Sequence, residues 1–303
     1  MAIAPGEKIS FFDAIDANKR NSILLILFLS IVFMMMVFAF SYLFELGIIG
    51  PIIGFVALFF YAIVMYYQGD QLVLSISGAR RVEEKDAPFL YNVVEGLAIA
   101  SGIPMPKLYI VDDPSPNAFA TGRDPQHASL AVTTGLLQMM SKQELEGVVA
   151  HEISHVANYD IRFMTLTVVF VGAIALLSSI AWRSMRFGFM GGSRDRRGGE
   201  LGAILIIVSV ALMILAPIAS ELIRFAISRQ REYLADANGA KLTRYPEGLA
   251  SALEKITKAG IPVQHATDAT APLYIASPFP NKMSFLFSTH PDPKDRIARL
   301  RAM

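Results

Sequence analysis

Between Ile23 and Tyr67 the only charged residue is Glu45. Two uncharged runs, Ile23 to Phe44 and Leu46 to Tyr67, lie almost back to back. Each has the length, about 20 residues, that a helix needs to cross a bilayer. Backbone inside hydrocarbon has to satisfy its own hydrogen bonds, so the fold must begin with two helices joined by a very short turn. The first run is too long for a cleaved signal peptide, and no small-residue cleavage site precedes the second. Lys8, Lys19 and Arg20 come before the pair, and Arg80 and Arg81 follow it. The excess of basic residues at both ends predicts that the N-terminus and everything after residue 68 face the cytoplasm. Composition agrees with a membrane protein: 53% of residues are hydrophobic, only 17% are charged, and mean hydropathy is +0.45.

Two further uncharged runs, Phe163 to Trp182 and Leu201 to Ser220, flank a glycine-rich loop over 183–200. That loop holds Arg183, Arg186, Arg194, Arg196 and Arg197. A spanning hairpin would put five arginines on the outer side, against the positive-inside tendency. A shallow or re-entrant pair avoids this, but the length of each run favours spanning. The same arginines suggest contact with anionic lipid headgroups. The expected architecture is therefore α+β and mainly helical, a soluble domain built onto four transmembrane helices. Its parts are an N-terminal segment and hairpin (1–68), a first cytoplasmic portion (69–162), a second hydrophobic hairpin (163–220) and a second cytoplasmic portion (221–303).

The first soluble portion reads as a helix over about 87–101, between Pro88 and Gly102, followed by three short strands. The strand candidates are Lys107–Val111, Asn117–Thr121 and Ser129–Thr134. They lead into Ser141-Lys142-Gln143-Glu144, an S-x-x-E capping box that opens a helix. In that helix Leu145, Val148, Val149, Ile153 and Val156 recur at helical spacing. On its flank sits His151-Glu152-Ile153-Ser154-His155, an H-E-x-x-H. Histidines at i and i+4 share a helix face and can hold one metal ion, with Glu152 placed to act as base toward a water there. The chain has five histidines, which makes a chance match improbable. It has no cysteine, so a zinc ion must be held by nitrogen and oxygen. The net charge of +1 gives no reason to expect a nucleic-acid partner.

Two histidines need a third protein ligand. No histidine follows at position 158 or 161, which are Asn and Ile. A glutamate from a second helix is the alternative. Glu232 and Asp236 form an E-x-x-x-D on one face of a helix continuing from the fourth apolar run. Glu232 could bind metal while Asp236 accepts the other ring N–H of a ligating histidine. The same spacing fits a solvated charged helix beside Arg229 and Arg231, and spacing alone leaves both open. Another helix fits Pro246–Ala259, and Asp292 with Pro293 caps a last one. If the H-E-x-x-H helix runs on unbroken, the metal lies about 12 Å from the start of the third apolar run. Asp160 reads as a partner for Arg162 at the membrane surface. His127 and His265 sit in polar loops with no partner at ligand spacing.

H-E-I-S-H, then R-E-Y-L-A-D after an apolar run, then S-T-H-P-x-P-x-x-R-I resembles the HtpX protease family. These are integral-membrane gluzincins related to the CAAX prenyl proteases and the mitochondrial inner-membrane stress protease. The resemblance covers about residues 70–300 and implies a zincin-like metalloprotease domain. It implies one Zn2+ per chain, with His151, His155 and Glu232 as ligands, Glu152 as general base and Asp236 behind a histidine. Asn117, Ala118, Phe119, Ala120 and Thr121 resemble the family's N-A-F-A-T edge strand, which would hold an extended substrate by backbone hydrogen bonds. His290 and Arg296 resemble a C-terminal pair near the metal that could stabilise an oxyanion. The family also implies a bacterial inner-membrane location, a cytoplasmic active site, and misfolded or damaged membrane proteins as substrates. A functional link to the membrane-bound ATP-dependent protease FtsH is a further implication. Two rival functions remain from the residues: a processing protease with few substrates, and a non-catalytic membrane adaptor that keeps zinc for stability. An intact Glu152 speaks against the adaptor, because a structural site has no use for a base.

Overall fold

The computed structural model describes residues 11–43, 47–172, 229–280 and 291–303. Most of the second apolar pair, the arginine-rich loop and His290 lie outside the described residues. Two long helices open the chain, α1 (Phe11–Leu43) and α2 (Ile49–Ile76), and they pack on each other. α2 is long and apolar enough to cross a membrane. It does not stop at the expected boundary near residue 68. Leu72-Val73-Leu74 restores the apolar character after the polar Gln68–Gln71, and the helix carries Val73 and Leu74 into a buried core. The end of this apolar helix is thus part of the core beneath the sheet.

Four short strands follow in one mixed sheet, ordered β1-β2-β4-β3. β1 (Ala79–Val82) runs antiparallel to β2 (Lys107–Val111). β2 runs parallel to β4 (Ala128–Thr133), and β4 antiparallel to β3 (Ala118–Gly122). β1 escapes sequence reading because Arg80 and Arg81 break any alternation and only Val82 is buried. The expected third strand stops at Thr133, whose hydroxyl accepts from Leu136 N and starts the short helix α4 (Thr134–Met139).

The period of two along each strand sorts the interior into two layers. Leu108, Ile110, Ala118, Ala120, Leu130 and Val132 face one core, with α3 (Pro88–Ser101) and α5 (Lys142–Ala157). Tyr109, Val111, Phe119 and Ala131 face the other, against Val73 and Leu74 of α2 and Met164 and Val168 of α6, a helix over 160–172 as far as described. The sheet therefore separates the end of the membrane helix from the helix bearing H-E-x-x-H.

α5 is the hub of the first layer. It packs against α3, α7 (Arg229–Thr243), α8 (Pro246–Ala259) and β3. Its capping box forms as expected: Ser141 N donates to Glu144 Oε2 at 2.8 Å, and Glu144 N to Ser141 Oγ at 3.4 Å. Glu144 also binds α8, accepting from Ser251 Oγ at 2.6 Å and Lys255 Nζ at 2.7 Å. Burial pushes its carboxyl up, but the Lys255, Ser251 and Ser141 hydrogen bonds outweigh that and bring it down to about 2. Backbone approaches backbone where side chains are absent. A Cβ on Gly147 would stand 2.6 Å from Leu249 N, and one on Gly239 of α7 would stand 3.1 Å from His151 N. α9 (Pro293–Arg301), capped by Asp292 through Lys294 N at 2.9 Å, closes the bundle over α7 and α8.

Two outcomes are expected for the detergent-solubilised chain. Gly147→Ala forces α8 away from α5 and costs about 1–3 kcal/mol, read as a lower Tm; an unchanged Tm would refute the close approach. Glu144→Gln lowers Tm at pH 7 by the loss of charged hydrogen bonds worth about 2 kcal/mol. A depressed carboxylate stabilises fully above its unfolded pKa of 4.5, and the contribution fades as pH falls toward about 2. The Tm gap between wild type and Glu144→Gln should therefore narrow below pH 4.5. A gap that stays constant down to pH 3 contradicts the assignment.

Candidate metal centre

α5 carries His151 and His155 one turn apart, and α7 brings Glu232 to meet them. All three side chains are buried. The two Nε2 atoms are 3.2 Å apart. Glu232 Oε1 lies 3.5 Å from His155 Nε2, and its Oε2 lies 3.8 Å from His151 Nε2. Ligands of a tetrahedral zinc, at about 2.1 Å from the ion, stand about 3.4 Å from one another. The three atoms are thus spaced as ligands around one ion.

Tautomer chemistry points the same way. His151 Nδ1 is 2.9 Å from Asp236 Oδ1, and His155 Nδ1 is 2.9 Å from Asp160 Oδ2. An ionised carboxylate only accepts, so each Nδ1 carries a proton, and a neutral ring held this way keeps its lone pair on Nε2. Nε2 atoms facing each other at 3.2 Å beside a carboxylate call for a positive charge between them, which a bound metal ion or, without one, a proton on His155 supplies. The donor set of two imidazoles and one carboxylate suits zinc. Glu152 adds a further sign: its Oε1 is buried with no partner, while the backbone of Ala120 bonds its carboxylate.

The electrostatics follow from burial and neighbours. Burial pushes Glu152 up to about 7, against the pull of His155. Burial also holds His151 below its ordinary range, with Arg296 opposing the help of Asp236. For His155 burial acts downward too, but Asp160 and Glu232 outweigh it and hold the ring well above its usual value. Asp236 is depressed, because Arg296 and His151 overcome the cost of burying it.

His151, His155 and Glu232 converge, with Glu152 beside them and Asp236 behind His151. Arg296 lies against the cluster, with Nη2 3.4 Å from His151 Nδ1. Its Nε and Nη2 donate to Asp236 at 2.8 and 2.7 Å, and its Nη1 donates to Ile275 O at 2.9 Å and lies 3.3 Å from Glu232 Oε2. It braces the two acids. β3 is an edge strand, but its outer edge is occupied by this chain. Phe119 bridges to Tyr274, Ile275 N donates to Ala118 O at 3.0 Å, and Asn117 Nδ2 donates to Ala276 O at 3.1 Å. Thr121 Oγ1 bonds Thr165 Oγ1 at 2.8 Å, facing away from Glu152 toward α6. His127 is tied to Asp124 at 2.7 Å and stays outside the site.

Asp160 is the residue that sequence reasoning misplaced. It binds His155, not Arg162, because α5 does not run on unbroken. The helix ends at Ala157, and Tyr159 takes a left-handed φ of 61°. That single turn swings Asp160 back to the imidazole. Helical spacing carries no signal for it.

The family model described as peptidase family M48 matches residues 84–303. A protein named "Protease HtpX homolog" from Dictyoglomus thermophilum is 51% identical over 294 residues, covering 97% of this chain and 95% of that one. A protein of the same name from Streptococcus gordonii is 44% identical over 297 residues, covering 96% and 99%. The solved structure of S. mikatae Ste24p is 19% identical, with a TM-score of 0.48; it covers 81% of this chain and 57% of that one.

Arg296→Leu leaves Asp236 and Glu232 buried without their cation. In the chelator-treated chain it should cost about 3–5 kcal/mol of stability, seen as a fall in Tm of several degrees. A Tm within a degree of wild type would show that Arg296 does not neutralise this pair.

Proposed function

Because the chain belongs to peptidase family M48 and is a metalloprotease, we propose that it is a zinc-dependent, multi-pass endopeptidase of the bacterial inner membrane. Its active site faces the cytoplasm, and its substrates are misfolded or damaged membrane proteins. The observation that carries the metal assignment is the facing pair of Nε2 atoms with Glu232 completing the triangle. His151, His155 and Glu232 would hold the ion. When bound, zinc supplies a Lewis acid that makes water acidic enough to react near neutral pH and polarises a carbonyl.

The chain's own residues do the rest. Glu152 Oε1, buried and unpartnered, takes a proton from the attacking water and later gives it to the leaving amine. Asp236 holds His151 in the tautomer that leaves Nε2 free, and Arg296 holds Asp236 in place. An extended substrate adds to the edge of β3 at Phe119 and Ala120, beside Glu152, and displaces the Tyr274–Ala276 segment that covers that edge. Backbone pairing tolerates many side chains, which suits a quality-control protease. The basic residues around the N-terminal helix pair support the cytoplasmic orientation. The length of the two outer runs beyond α1 and α2 supports four crossings. His290 and a link to FtsH belong to the proposal on the family resemblance alone.

The deciding experiment is cleavage of an unfolded model protein by the purified chain, with zinc or chelator, beside Glu152→Gln. The variant should keep its zinc and lose about 10²- to 10⁴-fold in rate, with wild-type cuts at scattered positions. Cleavage at one or two positions would favour a dedicated processing enzyme. Equal rates in both proteins would remove Glu152 from the chemistry.

A further inference from the structure

His155 is held from behind as firmly as His151, by residues on different elements. Asp160 Oδ2 takes its Nδ1–H at 2.9 Å. The other oxygen, Oδ1, accepts from Asn18 Nδ2 at 2.6 Å, and Arg231 Nε lies 3.5 Å away. Asn18 donates also to Asn158 O at 2.9 Å, so one amide grips both sides of the turn that carries Asp160. Asn18, Asn158 and Asp160 are all buried. Lys19, the next residue of α1, lies over the Tyr159 ring at 4.4 Å.

We propose that Asp160 is a positioning residue for His155, and that Asn18 on the N-terminal apolar helix completes it, an assignment that rests on His155 being a zinc ligand. An unbroken helix would turn residue 160 about 140° away from residue 155. The left-handed Tyr159 removes that obstacle at a cost of about 1 kcal/mol or more for a non-glycine residue. The turn holds that conformation between α1 and α5. A bland role for Asp160, capping the start of α6, would direct its oxygens to amides of that helix. Instead both oxygens are committed, one to the imidazole and one to α1. The foot of the N-terminal helix is therefore part of the support of the metal site. A shift of α1 within the membrane would reach His155 through two hydrogen bonds.

The test uses the full chain in detergent, with zinc affinity read by competition against a chromophoric chelator. The visible spectrum of the cobalt(II)-substituted protein reports ligand geometry, and Tm controls for folding. Asp160→Ala should weaken zinc binding about 10- to 100-fold and shift the cobalt bands. Asp160→Asn keeps an acceptor oxygen and should lose less. Asn18→Ala should lose about fivefold, and should add nothing in the Asp160→Ala background, because its effect passes through that carboxylate. Unchanged zinc affinity and cobalt spectrum in Asp160→Ala would overturn the proposal, as would additive losses in the double variant. A fall in Tm without a change in affinity would make Asp160 merely structural and overturn it too. Should Asp160→Ala fail to fold, Asn18→Ala decides, and unchanged affinity there sinks the idea. A wild-type chain that binds no zinc would instead overturn the metal reading itself, and this assignment with it.

Discussion

His151 and His155 present their Nε2 atoms to each other at 3.2 Å inside a buried site, and the neighbouring structure is arranged around keeping them there. An imidazole chooses its tautomer by its partner, so each ring needs an acceptor behind it. Asp236 comes from α7 and Asp160 from the turn after α5. Each acid is then a buried anion with a cation near it, Arg296 from α9 or Arg231 from α7. With Asn18 of α1 bonded to Asp160, the support of two rings draws in residues from four regions of the chain. Burying one catalytic group obliges the fold to bury its counterions too.

Close packing is what makes this convergence possible. Gly239 lets the helix carrying Glu232 and Asp236 approach the backbone of His151, and Gly147 lets α8 approach α5. Glu144 ties that second contact with Ser251 and Lys255. Across the sheet the end of α2 and the start of α6 fill the opposite layer. The sheet and its helices are consequently packed on the two N-terminal helices rather than tethered to them. α1 reaches the metal site through Asn18, and α2 reaches the underside of the sheet through Val73 and Leu74.

The edge of β3 is a pairing edge that this chain itself covers. Phe119 and Ala120 lie where an extended chain could pair, with Glu152 against Ala120. In this conformation Tyr274 and Ile275 occupy the pairing positions, and Asn117 fastens Ala276. An unpaired edge strand invites association with other chains, and covering it with a short segment is a common remedy. Here the cover is a single bridge and two hydrogen bonds to residues 274–276, with Tyr274 and Ile275 buried in the two core layers and Ile275 O also held by Arg296.

Much of this was legible before any coordinates. Local rules wrote the helix starts at Pro88, Ser141, Pro246 and Asp292, the stops at Gly102 and Gly260, and β2 almost to the residue. H-E-x-x-H identified itself because its geometry is fixed within one helix. Glu232 and Asp236 were visible as a spacing, with their role open until a resemblance was added. The tertiary structure alone decided that Arg296 braces two acids, that β3 is covered, and that Asp160 turns back to His155. Each of these depends on where separate elements meet, or on one left-handed residue. Sequence by itself determined the chemistry that could be held within a single turn of helix. Only the folded chain decided what stands behind it, because counterions and hydrogen-bond partners are chosen by proximity in space, which no periodicity encodes.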